Sequence, residues 1–146
     1  MTAAPPDEPS VQPRRARKPA PRQNVAAVEA TYRFIVWLIP VLEGFARTQR
    51  FLLGDRIQNG ALAVLDCLIE AAYTRDRLPL LRRANLELEK LRFWMRLANE
   101  LRHLDFKRYE FAARAIDDIG RQVGGWIKQQ GAPAPAAHGD ADAAPA

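Results

Sequence analysis

The side chains that could do covalent or metal chemistry are few in this 146-residue chain. It has one cysteine, Cys67, and two histidines, of which only His103 falls in the part with folding potential. Cys67 lies in an apolar helical run, LAVLDCLIEAA. It reads as a small buried hydrophobe with no disulfide framework and no cysteine metal site. A di-metal centre in a helical bundle needs inward glutamates and a Glu-x-x-His spacing on two helices. One body histidine cannot supply that twice. No GxxxxGK[ST] loop, no GxGxxG and no nucleophile-plus-base set around Cys67 is present. The expectation is therefore no catalysis, no metal, no cofactor and no small-molecule substrate.

Arginine is the chemistry that remains. Several arginines stand three or four residues from an acid on the same helix: Arg33 with Glu29, Arg83 with Glu87, Arg92 with Glu89, and Arg96 with Glu100. Arg114 and Arg121 bracket Asp117 and Asp118. Such pairs are ordinary solvated helix surface, each contributing only ~0.2–0.5 kcal/mol. Arg47, Arg50, Arg56, Arg75, Arg77, Arg82, Arg102, Arg108 and Lys128 lack a well-placed acid on their own helix. Several fall at helix ends and turns, where a guanidinium can grip a phosphate with two hydrogen bonds. Net charge is +5 for the chain, and the body alone holds 17 basic against 13 acidic residues. An anionic partner follows, nucleic acid before membrane. Pairing with acids on another helix or subunit is the alternative.

Helices must position these cations. From Thr74 to Leu104, the residues Leu81, Ala84, Leu88, Leu91, Met95 and Ala98 recur at alternating three- and four-residue steps, one stripe of a helix. A second set on the same helix, Leu86, Phe93, Leu97, Leu101 and Leu104, with Trp94 beside it, exceeds what one antiparallel neighbour covers. A first helix is expected over 25–42, with the stripe Val28, Tyr32, Ile35, Ile39 and Leu42. Its other side is apolar too, so it is buried all round or meets another subunit. Its FIVWLIPVL run is far shorter than the ~20 residues of a spanning helix and contains Pro40. Gly44 is a candidate stop.

A second helix is expected over 48–73, with Ile57, Ala61, Val64, Leu68 and Ala72 inward; Gly54 and Gly60 near its start point to close helix approach. Asp105 is placed to cap a last helix running to about Lys128, with Tyr109, Ala112, Ile116, Ile119, Val123 and Trp126 inward. The fold class is all-α: an up-down-up-down antiparallel four-helix bundle over 25–130. Residues 1–24 hold six of the eleven prolines and the basic cluster Arg14, Arg15, Arg17 and Lys18; residues 131–146 are nearly all Ala, Pro, Gly, His and Asp. Both read as disordered tails. No secretory h-region is present at the N-terminus, so the expected compartment is the cytoplasm. Trp37, Phe93, Trp94 and Leu97 are the candidate contacts between copies.

The segments LGDRIQ, EAAYTRDRL, ANLELEKLR and GRQVGGW occur in this order between Val28 and Lys128. In these segments the chain resembles the accessory variability determinant (Avd) proteins of bacterial diversity-generating retroelements. More distantly it is similar to four-helix proteins encoded in intervening sequences of ribosomal RNA genes. The first resemblance implies a bundle assembled as a basic, ring-like homopentamer. It also implies binding to the element's reverse transcriptase and its template RNA or cDNA, in support of mutagenic reverse transcription and retrohoming, without catalysis. The family's motif positions carried onto this chain are Arg50, Gly54, Arg56, Arg75, Arg77, Asn85, Glu87, Lys90, Arg92, Tyr109, Gly120 and Trp126. The resemblance assigns the basic ones, including Lys90 and Arg92, to polymerase or RNA contacts and the apolar or small ones to packing. A ribosomal-RNA-associated bundle and a purely structural docking bundle are the competing readings.

Overall fold

The computed structural model describes residues 22–131, and side chains from 25 to 130. The tails therefore lie outside the described residues, apart from the last residues before 25 and Gly131, which extend helices. Four long helices make the fold: α1 (Arg22–Glu43), α3 (Asp55–Tyr73), α4 (Leu78–Glu100) and α5 (Phe106–Gly131). A short α2 (Arg47–Gln49) and a π-helical segment (Arg50–Gly54) lead into α3. No strand occurs among the described residues. α1 packs on α3 and α5, and α4 packs on the same two. The helices thus form a closed square with α1 and α4 on opposite corners, alternating up and down.

The central stripe is buried as its spacing requires: Leu81, Ala84, Leu88, Leu91, Met95 and Ala98 all face the core. They meet Ile57, Ala61, Val64 and Leu68 from α3, and Ala112, Ile116, Ile119, Val123 and Trp126 from α5. Fully burying one such large side chain contributes roughly 1.5–3 kcal/mol, whereas an exposed ion pair contributes about 0–1 kcal/mol. Each of the eight ion pairs among the described residues has at least one solvent-exposed partner, so the apolar core holds this fold together. The cations are left to other work.

Three details depart from the pattern read in the sequence. In α1 the inward residues are Ala27, Thr31, Phe34, Ile35, Leu38 and Leu42, while Tyr32 points outward. Thr31 is buried because its Oγ1 donates to the Ala27 carbonyl at 2.8 Å within the helix. In α3, Ala71 rather than Ala72 closes the stripe. The lead-in to α3 is a wide π turn rather than a continuous α-helix, with Leu53 and Gly54 inward. α1 also has a 19-residue stretch, Val25–Glu43, long and apolar enough to cross a membrane (mean hydropathy 1.6). That corrects the short FIVWLIPVL window. In the bundle, one stripe of this helix is the wall that α3 and α5 pack against.

Gly60 accounts for the close contact of α3 and α4: a Cβ there would meet Leu91 Cδ2 at 3.3 Å. Gly54 does not serve that purpose, since its nearest neighbours belong to its own turn. Gly44 follows α1 without a left-handed conformation. The only described residue with positive φ is Arg102 (φ 65°), after α4. There the His103 N–H donates to the Ala98 carbonyl at 2.9 Å and the Arg102 N–H to the Asn99 carbonyl at 3.0 Å. This is a Schellman stop with arginine where glycine is usual.

Candidate nucleic-acid and docking surfaces

The bundle divides the candidate cations into two ends and two grooves. One end joins α3 to α4 and carries Arg75, Arg77 and Arg82, with Lys128 from the end of α5. Arg77 is engaged there: its Nε donates to the Thr74 carbonyl at 3.0 Å, and its guanidinium lies over Trp126, 6.0 Å from the ring centre. Trp126 is fully buried with its Nε1 unpartnered. The opposite end joins α1 to α3 and α4 to α5. It carries Arg47, Arg50, Arg102 and Arg108. Phe45 and His103 meet across it with ring centres 5.9 Å apart, which ties its two connections together.

Arg108 is corrected. Its backbone N–H donates to Asp105 Oδ1 at 2.8 Å and its Nη1 to Asp105 Oδ2 at 2.6 Å, so it has an acid beside it at the start of its own helix. These bonds to the charged carboxylate, the backbone one foremost, hold the Asp105 acid below the usual carboxylate range. Asp105 caps α5 as its position in the sequence predicts.

Two grooves flank α4. The α3–α4 groove is lined by Arg56, Asn59, Gly60, Glu87, Lys90 and Trp94. The Arg56 guanidinium lies 5.0 Å from the centre of the Trp94 ring, and Lys90 Nζ is 3.4 Å from Glu87 Oε1. The α4–α5 groove holds Arg92, whose Nη1 bonds Asp117 across the helices. Arg92 Nε lies 3.1 Å from Glu89 Oε1, close enough for charge pairing but not aligned as a hydrogen bond. Gly120 makes room for this arginine, since a Cβ there would stand 3.4 Å from Arg92 Nη2. Arg92 is thus a tie between α4 and α5. Among the described residues Arg47, Arg50, Arg56, Arg75, Arg77, Arg82, Arg102 and Lys128 have no acidic partner, nor does Arg83, expected on Glu87.

The proposed copy contacts separate in the same way. Phe93, 63% exposed, lies with Leu86 and Leu97 along the outer ridge of α4, opposite its core stripe. Trp94 is half-buried under Arg56. Trp37 is half-buried too, its ring 4.5 Å from that of Phe111 on α5. A second outer ridge, Val25, Tyr32 and Val36, runs along α1 with the same spacing of seven and four. The sequence hides it because α1 has no polar face around Phe34–Leu42 to set its phase.

No three His, Cys, Asp or Glu side chains come together as metal ligands among the described residues. Glu100 and His103 do stand at Glu-x-x-His spacing, but the helix ends between them. Glu100 pairs with Arg96 and His103 packs on Phe45. Burial pushes the Cys67 thiol up, only partly offset by Arg83, so it holds its proton at neutral pH.

These features define a basic four-helix bundle whose notable surfaces are unpaired arginines and two apolar outer ridges. The bAvd-like family model matches residues 25–130, and the chain belongs to that family; it is an accessory protein of the Avd type. A protein of unknown function from the S23 ribosomal protein family of Bacteroides thetaiotaomicron has a similar solved structure, with a TM-score of 0.68. The two are 16% identical over 73% of this chain and 98% of the other, a likeness of fold. No curated protein matches.

Proposed function

We propose that the chain is a non-catalytic accessory protein of a diversity-generating retroelement. In this reading it binds the element's reverse transcriptase together with its template RNA or cDNA in the cytoplasm and supports mutagenic reverse transcription and retrohoming. The observation that carries this is the set of unpartnered arginines at both ends of a bundle whose core is complete without them. Membership of the bAvd-like family supplies the context. A guanidinium that neutralises nothing in its own chain is available to phosphate. The two outer ridges supply contacts to further copies and to the polymerase.

The test is co-purification of the full chain with the reverse transcriptase encoded beside it and the template RNA. A stable complex is expected. Replacing Arg75, Arg77 and Arg82 together with glutamine is expected to weaken RNA binding about tenfold or more at low salt and to flatten its salt dependence, with helicity unchanged. A wild-type chain that captures neither polymerase nor RNA overturns the proposal.

A further inference from the structure

We infer that the end of the bundle built from the α1–α3 and α4–α5 connections is a binding site for single-stranded nucleic acid, with Phe51 as a base-stacking side chain. Arg47, Arg50, Arg102 and Lys107 supply the phosphate contacts. The inference rests on the nucleic-acid reading above and assigns that reading a place and a strand type.

Four independent observations meet at this end. First, the chain enters α3 through the π-helical segment Arg50–Gly54, and π segments concentrate at functional positions. Its wide turn buries Leu53 and Gly54 but leaves Phe51 and Leu52 outside, 61% and 68% exposed. Second, Phe106 at the start of α5 is 66% exposed at the same end. Third, Arg47, Arg50, Arg102 and Lys107 have no acidic partner among the described residues, while Asp105 is already taken by Arg108. Arg50 instead lies over Phe51, 5.9 Å from its ring centre. Fourth, Arg102 sits in the left-handed region, where glycine or asparagine would be unstrained. Strain held by a charged residue points to a use for the charge.

The chemistry selects the occupant. Four unpaired cations call for a polyanion. Exposed aromatic rings beside them add affinity only where the polyanion offers flat, unstacked faces, as the bases of a single strand do and those of a duplex do not. The α3–α4 end, whose Arg75 and Arg82 remain phosphate contacts in that reading, is the poorer candidate for the single-strand stacking site. Its Arg77 is held on Thr74 and Trp126, and its backbone carries neither a π turn nor a positive φ.

The experiment measures fluorescence anisotropy of the full chain with a labelled oligouridine of about 20 nucleotides and with an RNA duplex of about 20 base pairs, a length matched to single-strand and duplex site sizes. Light scattering with phosphatidylserine vesicles runs beside it. Phe51→Ala is expected to weaken oligouridine binding about fivefold or more, the loss of one stacked base, and to leave duplex binding within about twofold. Arg47→Gln with Arg50→Gln is expected to weaken both and to lower the salt slope by about two. Arg102→Gly is expected to raise the melting temperature while weakening oligouridine binding, and Arg102→Lys to restore the binding. A purely structural Arg102 would show the first change without the second. If the wild type binds oligouridine and all these variants bind as tightly, the site is overturned and the broader reading stands. If the wild type binds no nucleic acid, the broader reading falls with it. Variants at this end that lose vesicle binding but keep oligouridine binding overturn the inference in favour of a membrane surface.

Discussion

Asp105 shows how one side chain can be read from sequence, located in the structure and tested by pH. An acid before a run of helix formers is a cap by local rules alone, and it receives the Arg108 N–H. Its pKa is lowered in the folded protein, so the charged form binds that structure better than it binds the unfolded chain. The stabilisation is therefore complete above the unfolded value and is lost as pH falls through the folded one. The substitution Asp105→Asn keeps a capping oxygen and removes the charge. The wild type is expected to melt higher than this variant at neutral pH, and the two curves to converge as pH falls through the lowered Asp105 value. A pH-independent difference would assign the effect to shape. Arg102 is the opposite case. Nothing local in Leu101–Arg102–His103 announces a left-handed residue, because the rules for that position favour glycine. Arg92 is equally illegible: its Asp117 partner is 25 residues away, on another helix.

At the level of elements, legibility follows how much polar contrast each helix carries. α4 alternates charge with its Leu81–Ala98 stripe, so the phase is unambiguous and all six residues are buried. α1 has no polar face around Phe34–Leu42, so several stripes fit equally, and the one that places Tyr32 inward fails against its exposed ring. The π turn is invisible for a related reason: RFLLG has the same composition as an α-helical start. Glycines give the sharpest test of helix spacing. Gly124 has nothing within 4 Å of an added Cβ, so Gly124→Ala is expected to gain up to ~1 kcal/mol of helix propensity. Gly60→Ala gains the same propensity but presses on Leu91, which is buried and boxed in, so its net effect is expected to be zero or negative. Urea midpoints compare the two. Equal stabilisation by both would mean that α3 and α4 are farther apart than described.

The whole molecule raises the question of what covers its two outer ridges. Leu86, Phe93 and Leu97 on α4 and Val25, Tyr32 and Val36 on α1 sit on opposite corners of the square, so they face away from each other. If copies join by setting the α1 ridge of one against the α4 ridge of the next, the contact is heterologous, and repeated it closes into a ring or runs on as a fibre. A contact of either ridge with itself would stop at two copies. Multi-angle light scattering of the wild type is expected to give several times the 16.4 kDa chain mass. Phe93→Glu with Leu97→Glu blocks one face, and Tyr32→Glu with Val36→Glu blocks the other. All four side chains are exposed, so the bundle keeps its helicity. Each double variant alone is expected to be monomeric. Mixed in equal amounts they leave one intact pair of faces, and a dimer of two unlike chains is expected to form and go no further. A variant that dimerises by itself would show a two-fold contact, and a monomeric wild type at micromolar concentration would overturn assembly through these ridges.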